Sequence, residues 1–147
     1  MTPQPAGDGR IVVGVDGSPS SLGALSWAAR QAALTGSTLE IVAAWEWPSS
    51  YGWAVPVPDD FDPEADAWKA LDPTVAGVQA EYPDLRLEPR VVSGHPAPIL
   101  VKASEGADLL VVGSRGHGEF VGMLLGSCGE YCAANAHCPV LIHRASA

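Results

Sequence analysis

The chain has 147 residues, 47% of them hydrophobic and 17% charged, with a formal net charge of −9 and eight Lys and Arg. That length suits one domain with a substantial core, expected over residues 1–147 with 1–9 as a disordered N-terminus. So few cations exclude a nucleic-acid backbone partner and a polybasic membrane contact. The opening MTPQPAGDGR has no charged and apolar leader pattern, and no apolar run reaches bilayer length, so the expected localisation is cytoplasmic.

IVVGVD (Ile11–Asp16) is a short β-branched run ended by Gly17, which reads as a buried strand. Ser18-Pro19 supplies an N-cap and a first-turn proline, Leu22, Leu25, Trp27–Ala29 and Ala32–Ala33 follow at helical spacing, and Gly36 stops the helix. STLEIVAAW (Ser37–Trp45) is the second strand. Residues 46–63, EWPSSYGWAVPVPDDFDP, form a long Pro- and Trp-rich loop. It reads as a lid whose Trp47, Tyr51 and Trp53 cover apolar surface.

A helix is predicted across Ala65–Glu81, with Asp72-Pro73 acting as a second N-cap and first turn that breaks it in two. LRLEPRVVSG (Leu85–Gly94) is the third strand and PAPILVKASEG (Pro96–Gly106) the third helix. DLLVVG carries the fourth strand, SCGEYCAANA (Ser127–Ala136) the fourth helix and PVLIHR the fifth strand. Mostly apolar strands alternating with helices predict an α/β fold, a single-domain Rossmann-like parallel sheet of five strands with helices on both faces. In such sheets ligands sit beyond the carboxyl ends of strands, where the strand order reverses.

Two strand ends stand out: the first, with Asp16, and the fourth, with GSRGHGEFVGMLLGS (Gly113–Ser127). The latter is no P-loop, since Gly118 is followed by Glu119 and Phe120 and no lysine occurs in 103–147. Nor is it a dinucleotide fingerprint, because Gly122 lies one residue too far from Gly116 and Gly118. Its spacing suits a two-part anion site instead. Gly113 and Gly116 let the backbone approach a ligand, and Gly126-Ser127 opens a helix whose N–H groups and dipole favour phosphate. Asp16, if its strand end lies alongside, accepts hydrogen bonds from a ribose. Ser127 also has a purely structural reading, since Ser127-x-x-Glu130 is a capping-box pattern, and Asp16 could simply close the turn before Ser18.

The pattern G-2x-G-9x-G-S, following DLLVVG and preceding EYCAANAHCPVLIHR, resembles the ATP-binding branch of the universal stress protein family. The likeness extends from IVVGVDGSPSS to CPVLIHR. It implies a sheet ordered 3-2-1-4-5 with ATP, accompanied by Mg²⁺, across the first and fourth strand ends. Carried over by position, Asp16 meets the ribose or adenine side, while Gly14 and the backbone near Trp45 and Glu46 border the base. Val112 and Gly113 line the sugar, and Gly116 and its neighbours the phosphates. Gly126, Ser127 and Cys128 supply N–H groups, with the Ser127 hydroxyl. Arg115 and His117, in the same loop, are within reach of phosphate. The family also implies a homodimer paired through the last strand, Val140 to His143. Two positions depart from the family pattern: Cys128 replaces an aliphatic residue, and Gly129 stands where nucleotide binders often carry a hydroxyl.

No nucleophile–base pair and no metal-ligand triad is evident, so the expected role is a nucleotide-dependent regulatory or interaction module in stress response, with at most slow ATP hydrolysis. The alternative is a nucleotide-free dimeric interaction protein of the same fold. Cys128, Cys132 and Cys138 match no zinc spacing and read as partly buried thiols. His95 reads as a turn residue before Pro96, and His137 and His143 as structural.

Overall fold

The structure is a computed structural model that describes residues 9–46, 62–115 and 125–144. The expected disordered N-terminus (save Gly9), nearly all of the long loop and Gly116–Leu124 of the glycine loop lie outside the described residues. The elements run β1 (Arg10–Gly14), α1 (Pro19–Thr35), β2 (Thr38–Trp45), α2 (Pro63–Glu81), β3 (Leu87–Ser93), α3 (Pro96–Ala103), β4 (Leu109–Gly113), α4 (Ser127–Asn135) and β5 (Val140–His143). All strand pairings are parallel and the order is β3-β2-β1-β4-β5, so the reversal falls between β1 and β4.

The strict alternation of side chains along each strand divides the core into two layers. Ile11, Val13, Leu39, Ile41 and Val111 face α1 and α2, whose Ala24, Leu25, Ala28, Leu71 and Val78 complete that cluster. Val12, Val42, Leu110 and Val112 face the other way, against Leu100 of α3 and Cys132 of α4. The two covers are unequal: α1 and α2 have 17 and 19 residues, α3 and α4 only 8 and 9. Glu40 lies on the thinly covered face and is 2% exposed. It is tolerated because Arg10 reaches it at 2.6 Å and Arg90 also pairs with it.

Helix α2 corrects one expectation: it is continuous through Pro73. The cap sits one motif earlier, at Asp62-Pro63, where the Asp62 carboxylate accepts from the Ala65 N–H at 3.1 Å. Leu71 and Val78 are buried, and Trp68 and Val75 pack on the same core, whereas Pro73 lies on the exposed side. The ring therefore costs the helix one hydrogen bond, at the carbonyl of solvent-exposed Lys69, while the buried stripe holds both halves in line. Pro73→Ala is expected to raise unfolding stability by about 1–2 kcal/mol in denaturant titration. The restored helix bond exceeds the extra unfolded-chain entropy that alanine brings.

A candidate nucleotide cleft

The turn from β1 into α1 is built by short polar side chains. Asp16 Oδ1 accepts from Ser18 N at 2.9 Å, Gly17 takes φ +82°, and Ser18 caps α1 by accepting from Ser21 N at 3.2 Å. Ser21 Oγ in turn accepts from Asp16 N at 3.2 Å. The turn-closing reading of Asp16 therefore holds. The same residue also lines the cleft beyond the strand ends.

At the end of β4 the chain is tied to its neighbours. Ser114 N donates to His143 O at 2.8 Å, Gly126 N donates to Ser114 O at 2.6 Å, and Arg115 N donates to Ser20 Oγ at 3.3 Å. These bonds bring the start of α4 back beside the strand that the glycine loop left. Gly126 occupies the N-cap position and Ser127 is the first helical residue, so the capping-box reading of Ser127 is off by one place. The first helical bond runs from Glu130 N to Gly126 O, and the amides of 127–129 therefore point out of the helix end.

That helix end opens into a cleft of about 320 Å³ at the carboxyl ends of β1, β2 and β4. Eight of the residues singled out in the sequence line it: Gly14, Asp16, Val112, Gly113, Arg115, Gly126, Ser127 and Cys128. Gly116 falls outside the described residues, as do His117 and Glu119. Glu46 is not in the wall but binds a residue that is, with Oε1 2.8 Å from His95 Nδ1. His95, at the N-cap of α3, is the main omission of the sequence reading; its only signal there was its place, with Pro96, just beyond the third strand. Val42, Ala44, Pro96, Ala97 and Leu100 give that end of the cleft an apolar lining.

Gly113 serves a second purpose. A Cβ on it would come within 2.6 Å of Ser20 Oγ and 2.8 Å of the Ser20 carbonyl carbon, so β4 and the first turn of α1 can touch only through glycine. Cys128, in the wall, hydrogen-bonds the buried Cys132. That bond, then burial, then the Cys128 charge push the Cys132 thiol well above its usual range. No disulfide links any of the three cysteines.

The family model described as "Universal stress protein family" matches residues 9–144. A universal stress protein of Mycolicibacterium smegmatis is 37% identical over 144 residues, covering 96% of this chain and 48% of its own length. Universal stress protein Rv2623 of Mycobacterium tuberculosis is 38% identical over 142 residues, covering 92% and 45%. The chain thus spans about half the length of the curated relatives it matches. Among solved structures, a universal stress protein in complex with cAMP superposes with a TM-score of 0.69 at 32% identity, over 94% of this chain and 98% of that one. The universal stress protein from Archaeoglobus fulgidus in complex with dAMP shares the fold, with a TM-score of 0.66 at 22% identity over 92% and 97%. With residues 9–144 matched by its model, the chain belongs to the universal stress protein family.

Proposed function

We propose that the cleft binds an adenine nucleotide, ATP with Mg²⁺, and that occupancy sets the conformational or partner state of a cytoplasmic homodimer acting in stress response. One observation carries this reading: the N-terminus of α4 opens into a cleft at the strand-order reversal, beside the end of β4. Three outward amides and a helix dipole form an anion site at one end, and an apolar wall suits a base at the other. A solved relative at 32% identity is a complex with cAMP, which supports the same ligand class here.

Asp16, Arg115 and His95 are the ionisable cleft-lining residues other than the thiol among those described. Asp16 suits a ribose hydroxyl or a magnesium-bound water, and Arg115 a phosphate. Magnesium would be held chiefly by the phosphates, whose charge it offsets. With no lysine in the described wall, turnover is at most slow. The dimer reading rests on β5, an edge strand whose Val140–His143 pair only with β4 among the described strands.

The test is to denature freshly purified protein and identify any released nucleotide by chromatography and mass. Near-stoichiometric adenine nucleotide is expected. Empty protein that also gives no heat with Mg-ATP by calorimetry would leave the nucleotide-free interaction protein as the better reading.

A further inference from the structure

His95 and Glu46 sit at the end of the cleft opposite α4. Glu46 directly follows β2, His95 is the N-cap of α3, and the two side chains meet at 2.8 Å through His95 Nδ1 and Glu46 Oε1. A carboxylate only accepts hydrogen bonds, so in the neutral imidazole Nδ1 carries the proton. The other ring nitrogen, Nε2, is then an acceptor with a lone pair, on a ring that lines the cleft. Val42, Ala44, Pro96, Ala97 and Leu100 line the same cleft. An acceptor on the wall favours a ligand that brings a donor over one that brings a second acceptor, whose lone pair would face its own.

We infer that His95, with its tautomer set by Glu46, selects the base: it takes a purine bearing an exocyclic amino group at C6 and rejects one bearing a keto oxygen there. This inference rests on the nucleotide reading of the cleft. Adenine offers N6–H₂ as donor at that position, and guanine offers the O6 acceptor, which would face the Nε2 lone pair. His95 is a specificity residue for the base, and Glu46 is its positioning residue. Through the imidazole it orients, the Glu46 side chain acts on the base end as well.

The experiment measures binding of Mg-ATP, Mg-GTP and Mg-tripolyphosphate by calorimetry to the full chain and to His95→Phe and Glu46→Gln. The His95 and Glu46 side chains are 69% and 54% exposed, so both variants are expected to keep the fold. The wild type should favour ATP over GTP by roughly tenfold or more, the scale of one hydrogen bond made and one repulsion avoided. In His95→Phe the preference should vanish while tripolyphosphate binding is unchanged. Glu46→Gln, whose amide both donates and accepts, should reduce the preference because the tautomer is no longer imposed. A His95→Phe protein that keeps the full ATP preference overturns the inference and leaves the nucleotide site standing. A wild type that binds neither nucleotide overturns the parent reading and this one with it.

Discussion

Ser127→Asp is expected to weaken Mg-ATP binding by about two orders of magnitude while leaving the protein folded. Ser127 is exposed, is the first residue of α4 and lines the cleft. A carboxylate there would sit beside the position proposed for phosphate. Two like charges about 4 Å apart repel by about 4 kcal/mol at an effective dielectric of 20, and solvent at the mouth reduces this to about 2–3 kcal/mol. The helix itself gains, because an acid in the first turn complements the dipole by about 0.3–1 kcal/mol. Calorimetric titration therefore falls sharply while the thermal midpoint holds or rises slightly. Ser127→Ala, which removes only the hydroxyl, should stay within severalfold of wild type. Unchanged ATP affinity in Ser127→Asp would mean that phosphate does not bind at this helix end.

Gly113→Ala acts on stability instead. The added methyl would meet the backbone of Ser20, with the carbonyl oxygen at 2.9 Å, where no side-chain rotation can relieve the clash. Either α1 shifts away from β4 or the strand end moves outward. Both routes strain the bonds from Arg115 N to Ser20 Oγ and from Ser114 N to His143 O. Overpacking together with weakened buried hydrogen bonds should cost on the order of 3 kcal/mol, read as a drop in thermal midpoint of roughly 10 °C. A variant as stable as wild type would show that the α1–β4 contact gives way freely. Because this change disturbs the fold, it is a poor probe of ligand contact, whereas Ser127→Asp is a clean one.

Much of this architecture is written locally. Runs such as IVVG and LLVVG announce buried strands, and Ser18-Pro19 and Gly36 bracket α1 where the structure places it. Composition says nothing of strand order, which came from the resemblance and agrees with the observed sheet. Pro73 misled because a proline's local cost is visible in sequence, whereas the burial of Leu71 and Val78 that overrides it is a tertiary property. Ser127 misled by one residue because the cap position depends on how Gly126 is tied to Ser114, a contact between segments. Gly113 reads as a ligand glycine and lines the cleft, and its missing side chain also answers to α1, which no spacing rule reveals. His95 and Glu46 lie 49 residues apart and meet only because β2 and β3 are neighbours.

The unequal helical cover has an energetic corollary. One face of the sheet is held by two long helices and a broad apolar cluster, while the other rests on α3 and α4, whose Leu100 and Cys132 cover four buried strand residues, Val12, Val42, Leu110 and Val112. Opening fluctuations start where the least apolar area must be exposed, which puts them on the α3–α4 side. Part of the cleft's wall is drawn from those same two helices. A molecule seated there acts as a clasp across the looser half, adding its binding free energy where the polypeptide holds itself least firmly.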